Sequence, residues 1–148
     1  MRFFAASLLL VPFVVSSCAP PIPKGKLKDE EAIVGTWKFD KLDGGDQAAS
    51  DELSEMTFEF KGGKYTMSSR GETVNEGSYE LDPEAKVKTM DFIEKKRTIS
   101  AIYELDGDAL KICYGKGPNS VRPTEMKSDG KSILVITFKR VKEEKKDE

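Results

Sequence analysis

The sequence predicts an all-β fold, an eight-stranded antiparallel up-and-down barrel with one short helix. Apolar and polar residues alternate in eight short runs between residues 33 and 140, and this alternation is typical of strands with one buried face. Glycine-containing dipeptides separate many of these runs, as tight hairpins require. Because each run has one apolar face, closure into a barrel would remove the exposed edges of an open sheet. A β-sandwich is the main alternative.

The first predicted strand, at 33–40, carries Gly35 and Trp37 on one apolar face. Glycine weakens strands and is usually kept where a large group must approach the backbone. We therefore expect the Trp37 ring to come close to Gly35. In the polar segment 42–54, Ser50 is the predicted N-cap of one or two helical turns.

Seven further strands follow, each with large apolar side chains on one face. They are predicted at 56–60, around Tyr65 and Met67, and at 73–81, 88–93, 98–105, 109–114 and 132–140. Gly62-Gly63, Arg70-Gly71 and Asp106-Gly107 supply hairpin turns between them. These short connections favour strands that neighbour each other in sequence order.

The inward faces of these strands carry aromatic and methionine side chains that form a candidate ligand pocket. An apolar lining with a few hydroxyl groups is typical of small-molecule sites. An eight-stranded barrel is also just wide enough to be filled by its own side chains, so a packed core is the alternative. Arg122 is a candidate partner for an anionic ligand group, with an exposed or structural role as its alternative. The candidate pocket residues are Phe58, Tyr65, Met67, Tyr79, Met90, Phe92, Tyr103, Tyr114 and Arg122.

The N-terminal segment has the pattern of a secretion signal. Arg2 precedes an apolar run at 3–15, which is too short for a transmembrane helix of about 20 residues. The run ends in Val15-Ser16-Ser17-Cys18, which resembles a bacterial lipobox. This resemblance implies cleavage before Cys18 and acylation of its thiol, and an ordinary secretory signal is the alternative. Several acyl chains together give stable membrane anchoring, because one chain alone is marginal.

The lipobox resemblance also implies a location in the bacterial cell envelope, facing the periplasm or the surface. Ala19 follows the cysteine, where an aspartate signals inner-membrane retention in enteric bacteria, so the outer membrane is favoured over the inner. The predicted organisation is a signal peptide at 1–17, a lipidated cysteine and flexible tether at 18–32, a barrel at 33–141 and a charged, disordered tail at 142–148.

Composition excludes several classes of function. The 24 basic and 26 acidic residues are interleaved, which does not favour a nucleic-acid partner. The chain has no histidine, and it therefore lacks the commonest general base and metal ligand. Cys113 has no histidine partner and is interpreted as a small strand residue. We expect no enzymatic activity, no catalytic residue, no metal site and no cofactor.

Gly35 and Trp37 on the first strand, with Arg140 late in the last, resemble the lipocalin pattern. By this resemblance, the arginine packs over the tryptophan and closes one end of the barrel. Longer segments resemble a lipocalin-like domain family of uncharacterised function that is abundant in planctomycete bacteria and often follows lipoprotein signals. These segments are GTWKFDKLDG at 35–44, FKGGKYTM at 60–67, EGSYELDP at 76–83, IYELDGDALKICY at 102–114 and RPTEM at 122–126.

Two functional hypotheses follow from this sequence. The first is a lipid-anchored barrel that binds a small apolar or amphipathic molecule. The second is a filled barrel whose outer face or loops contact another envelope protein, as an inhibitor would. The interior volume of the barrel distinguishes these hypotheses, because only the first requires a cavity.

Overall fold

The computed structural model describes residues 28–117 and 119–142. They form a closed barrel of eight antiparallel strands that neighbour each other in sequence order. The strands are β1 (Gly35–Asp43), β2 (Met56–Lys61), β3 (Lys64–Ser69), β4 (Glu72–Asp82), β5 (Thr89–Ile93), β6 (Thr98–Asp106), β7 (Ala109–Gly115) and β8 (Ile133–Arg140). The predicted fold class is confirmed, and every predicted strand is present within a few residues of its expected bounds.

The predicted signal peptide, Cys18 and the last six residues of the predicted tail lie outside the described residues. Within 28–117 and 119–142, neither helix has the length and apolar character needed to cross a membrane.

The predicted short helix is α2 (Gln47–Ser54), but its start differs from the prediction. The Asp46 side chain accepts a hydrogen bond of 2.8 Å from the Ala49 backbone amide and therefore caps the helix. Ser50 lies within the first turns of α2 instead of capping it. Aspartate is as good an N-cap as serine, so residue preference alone did not distinguish the two positions.

A second helix, α1 (Asp29–Ala32), occupies residues that the sequence analysis gave to the flexible tether. The Asp29 carboxylate accepts hydrogen bonds of 2.7 Å from the Lys88 ammonium and 2.7 Å from the Tyr103 hydroxyl. These contacts fix α1 to the barrel at one end. The ordered domain therefore begins before Ile33, because tertiary contacts stabilise a helix that is too short to form alone.

The barrel closes where β1 pairs with β8, with Trp37 opposite Arg140 in the register. The Arg140 guanidinium carbon lies 4.2 Å from the centre of the Trp37 ring, a cation–π contact worth about 1 kcal/mol. The guanidinium also donates hydrogen bonds to the carbonyls of Val34, at 2.8 Å, and Ala32. The expected closure by Gly35, Trp37 and Arg140 is therefore present at the end that carries α1.

Gly35 is required by the Arg140 side chain and not, as expected from the sequence, by the Trp37 ring. Its φ is +132°, and a Cβ atom at this position would lie 2.9 Å from the Arg140 Nη1 atom. The Trp37 indole instead donates a 2.8 Å hydrogen bond to the Ile33 carbonyl. The prediction that a large group approaches the backbone at Gly35 was correct. Which side chain approaches it depends on β8, which is distant in sequence.

The end that carries α1, called here the closed end, is filled by side chains. Trp37, Phe60 and Met90 have no exposed surface, and Tyr103 is 1% exposed. Tyr79 packs edge-on against Phe60, with ring centres 5.1 Å apart. This half of the barrel matches the packed-core alternative.

Candidate functional site

The other end of the barrel, called here the open end, contains a cavity of about 280 Å³. Its lining comes from the ends of the strands and connections that meet there, including Leu53 of α2. The lining residues are Leu53, Met56, Phe58, Tyr65, Met67, Asn75, Phe92, Glu94, Arg97, Ile99, Ile112, Tyr114, Gly115, Gly117, Ile136 and Phe138. The interior is therefore filled at one end and hollow at the other.

The walls of the cavity are apolar and mostly aromatic or branched. Phe58 and Phe138 contact each other with ring centres 5.0 Å apart, and Tyr65 meets Phe92 edge-on at 5.0 Å. Ile112 and Ile136 are each 3% exposed. These packed side chains give the cavity a rigid apolar wall that would take an alkyl or aromatic group.

The mouth of the cavity carries a hydrogen-bonded polar group, called here the Glu94 cluster, which consists of Tyr65, Asn75, Glu94 and Arg97. One carboxylate oxygen of Glu94 accepts from the Tyr65 hydroxyl at 3.2 Å and from the Asn75 amide at 2.8 Å. Arg97 donates to both carboxylate oxygens, at 2.6 and 3.3 Å. The cluster joins β3, β4 and the β5–β6 turn. The pairing of β4 with β5 ends at Ser78 and Ile93, and residues 72–77 of β4 extend beyond it.

The environment of the cluster shifts the pKa values of its members. The Arg97 hydrogen bond lowers the pKa of Glu94, and the Asn75 and Tyr65 hydrogen bonds act in the same direction against desolvation. Burial, with the neighbouring Glu94 charge, raises the pKa of Tyr65 to about 12. Glu94 is therefore ionised and Tyr65 is neutral at pH 7.

The lowered pKa of Glu94 predicts a pH dependence of stability. The contribution of Glu94 is complete above its usual pKa of 4.5 and is lost as the pH falls through the lower folded value, because the unfolded state then binds the proton more tightly. In Glu94→Gln, we expect a shallower loss of unfolding free energy below pH 4.5 than in the wild type. Chemical denaturation at a series of acidic pH values measures this difference. Glu80→Gln, an exposed position on β4, is the control, and parallel curves for wild type and Glu94→Gln would contradict the prediction.

The structure brings five of the nine predicted pocket residues into the cavity. Phe58, Tyr65, Met67, Phe92 and Tyr114 line it. Tyr79, Met90 and Tyr103 point inward as expected, but they belong to the packed closed end. Tyr103 donates its hydroxyl hydrogen to Asp29, and burial, together with this hydrogen bond, raises the pKa of Tyr103.

Arg122 lies on the outer surface of the barrel and was wrongly included among the pocket residues. Its guanidinium donates to both oxygens of Asp91, at 2.8 and 2.9 Å, and to the Ala101 carbonyl at 3.0 Å. Asp91 lies between the inward residues Met90 and Phe92 on β5, so it faces outward. Arg122 therefore fixes the β7–β8 connection against the barrel wall and has no contact with the cavity.

Cys113 lies on β7, in agreement with its interpretation as a small strand residue, and its free thiol is buried on the outer side of the barrel wall. It packs with Ile102 and Val135, and Met126 of the β7–β8 connection covers them. Burial raises the pKa of the thiol, so the reactive thiolate is disfavoured.

Asn75, Glu94 and Arg97 were not identified from the sequence, although their positions continue the inward alternation. Glu94 follows Met90 and Phe92 at a spacing of two, and Arg97 precedes Ile99 and Ala101 in the same way. The strand predicted at 88–93 ends one residue before Glu94 and the strand predicted at 98–105 begins one residue after Arg97, whereas Asn75 lies within the strand predicted at 73–81. Extending the inward register by one position would have indicated Glu94 and Arg97, and Asn75 shares the inward register of Gly77 and Tyr79 on its own predicted strand.

No protein-family model and no curated protein matches the chain. Among solved structures, the chain is similar to fatty-acid-binding protein 1 of Echinococcus granulosus, with 19% sequence identity and a TM-score of 0.41. The matched region covers 76% of this chain and 99% of that chain. At this identity and TM-score, the likeness carries no functional conclusion for the present chain.

Proposed function

We propose that the barrel binds one small apolar or amphipathic molecule in the cavity at its open end. The observation that carries this proposal is the hollow of about 280 Å³ with an apolar wall and a polar mouth. Its volume is close to the lower limit of about 300 Å³ for small-molecule sites, so it suits a short alkyl chain or a compact ring system.

The unequal filling of the two ends supports a role in binding. An unfilled apolar space lowers stability, and the closed end is packed with side chains of the same kinds that surround the cavity. A barrel that served only as a scaffold for contacts with another envelope protein would have no use for this space. The binding hypothesis therefore has better support than the filled-barrel alternative.

Binding without catalysis is proposed on the basis of the side chains at the site. Among the described residues, the cavity lining includes no serine, threonine or cysteine, and the chain has no histidine. Its ionisable side chains are Glu94, Arg97 and two tyrosines. Within 28–117 and 119–142, no group of three acidic or cysteine residues could hold a metal ion.

Filling the cavity with a larger side chain tests the proposal. In Met67→Trp, we expect the indole to occupy the cavity and to weaken binding at least about tenfold, a loss of about 1.4 kcal/mol. Thr66→Trp places the same side chain on the outward face of the same strand and should bind as the wild type does. Binding is measured by titration with a neutral hydrophobic dye and with medium-chain alcohols, and by the rise in unfolding temperature that a bound ligand causes. The proposal is refuted if the wild type binds none of these probes, or if Met67→Trp binds them unchanged.

We further propose that Cys18 is acylated and anchors the protein in the bacterial cell envelope, and that the barrel belongs to the lipocalin-like family named above. The support for the anchor is the sequence Val15-Ser16-Ser17-Cys18 after a short apolar run. When the protein is expressed in a bacterium, we expect the wild type to fractionate with membranes and to carry the added mass of acyl chains. Cys18→Ser should lose both properties, whereas Cys113→Ser, which removes the buried thiol, should keep them. Equal fractionation and unmodified mass for wild type and Cys18→Ser would exclude acylation.

A further inference from the structure

The polar mouth of the cavity has a balanced charge. Glu94 and Arg97 carry opposite charges, and both line the cavity. Lys95 and Lys96 of the same turn border an adjoining groove that shares Tyr65, Asn75 and Glu94 with the cavity, but these two lysines do not line the cavity itself. A ligand in the cavity therefore meets a compensated ion pair instead of an excess positive charge.

The hydrogen bonds of this pair leave both a donor and an acceptor available. Glu94 Oε1 accepts three hydrogen bonds, whereas Oε2 accepts one, from Arg97 Nε. Within 28–117 and 119–142, Arg97 Nη1 and the Tyr114 hydroxyl have no hydrogen-bond partner. A carboxylate oxygen has capacity for more than one donor, and Nη1 carries two hydrogens.

We propose that the mouth recognises a neutral hydroxyl or amide group at the polar end of an apolar ligand and disfavours a free carboxylate. This inference rests on the proposed function and specifies the ligand class for the same cavity. A hydroxyl or amide both donates and accepts, so it can donate to Glu94 Oε2 and can also accept from a donor of the cavity lining such as Arg97 Nη1 or the Tyr114 hydroxyl. A carboxylate only accepts, and it would bring a second negative charge beside Glu94.

The position of Glu94 makes this second charge costly. Its side chain is only 15% exposed, and repulsion between like charges is stronger in such a partly buried place than in water. The two acceptors would also share Arg97, which is the one cationic side chain that the described part of the chain contributes to the cavity lining. A ligand carboxylate would therefore have to compete with Glu94 for the guanidinium.

Paired ligands of equal chain length test the inference. Decanol and decanoate are titrated at neutral pH against the full mature protein, with displacement of a neutral hydrophobic dye as the measurement. We expect the wild type to bind decanol at least about tenfold more tightly. Glu94→Gln removes the negative charge and releases Arg97. In this variant, the ratio of the decanoate dissociation constant to the decanol dissociation constant should fall at least about fivefold. The general difference in hydrophobicity between the two ligands is the same for both proteins. The change in the ratio between wild type and variant therefore measures the effect of Glu94 on the preference for decanol.

Two further variants complete the test. Glu55→Gln removes an exposed acidic group that pairs with Arg70 outside the cavity lining, and its ratio should equal that of the wild type. If Glu94→Gln does not fold, Arg97→Gln replaces it, because the Arg97 side chain is 47% exposed. Removal of this cation should raise the preference for decanol.

Each outcome has a defined meaning. Equal or tighter binding of decanoate by the wild type, or an unchanged ratio in both cavity variants, overturns the inference and leaves the proposed binding function intact. Failure of both ligands and of the dye to bind the wild type refutes the proposed function itself.

Discussion

Replacement of Trp37 by alanine is expected to lower the free energy of unfolding by about 3–5 kcal/mol, the range for loss of a buried tryptophan. The indole has no exposed surface, donates a hydrogen bond to the Ile33 carbonyl and packs against the Arg140 guanidinium. Its loss would leave a cavity at the junction of β1 and β8 and remove the apolar support of the arginine. The effect is large because one side chain contributes to core packing and to closure of the barrel.

Urea denaturation followed by circular dichroism measures this change without a tryptophan signal. Trp37→Phe should cost less than Trp37→Ala, since it keeps an aromatic ring but loses the hydrogen bond. Val34→Ala, at a side chain that is 41% exposed, should change the unfolding free energy by no more than about 0.5 kcal/mol. A loss for Trp37→Ala as small as that of Val34→Ala would contradict the assignment of Trp37 to barrel closure.

Replacement of Gly77 by alanine is expected to lower the free energy of unfolding by about 1–3 kcal/mol through overpacking. A Cβ atom at Gly77 would lie 2.5 Å from the Ile93 carbonyl oxygen and 2.9 Å from the Tyr65 ring. The carbonyl belongs to the backbone at the end of β5 and cannot move aside as a flexible side chain could. The strain would separate β4 from β5 next to the mouth, where Tyr65 contacts Glu94.

The same denaturation measurement, with Ser78→Ala as a control, tests this prediction. Ser78 is the next residue of β4, and its side chain is exposed, so its substitution should have little effect. Because Gly77→Ala displaces Tyr65, we also expect weaker binding of the neutral dye than in Ser78→Ala. Equal stability and equal dye binding in the two variants would contradict the prediction, because they would show that the barrel accommodates a Cβ atom at Gly77 without cost.

The two ends of the barrel thus have different roles in the same fold. At the closed end, Asp29, Tyr103 and Arg140 join the N-terminal helix and the last strand to a packed core. At the open end, the strands extend to unequal lengths, and the Glu94 cluster bridges the gap between β4 and the β5–β6 turn. The buried side chains at the closed end offset the stability that the unfilled space at the open end costs.

The sequence by itself determined the strands and their inward faces, whereas the pairing of Trp37 with Arg140 was expected from the resemblance to the lipocalin pattern. The alternation of apolar and polar residues is a local signal with a period of two, and turn dipeptides fix where many of the strands end. Phe58, Tyr65, Met67, Phe92 and Tyr114 were predicted as cavity residues for this reason. Local patterning cannot tell how far along the barrel axis each inward residue lies, and Tyr79, Met90 and Tyr103 were therefore assigned to a cavity that they do not reach.

Only the tertiary structure decided which end is filled, where Arg122 lies and which polar groups meet at the mouth. Arg122 pairs with Asp91 across 31 positions of sequence, and Asn75 meets Glu94 across 19. Such pairs depend on strand register and on the path of a long connection, which no short sequence window contains. The physical reason is that a side chain's direction is set by its own strand, whereas its partners are set by the neighbouring strands and loops.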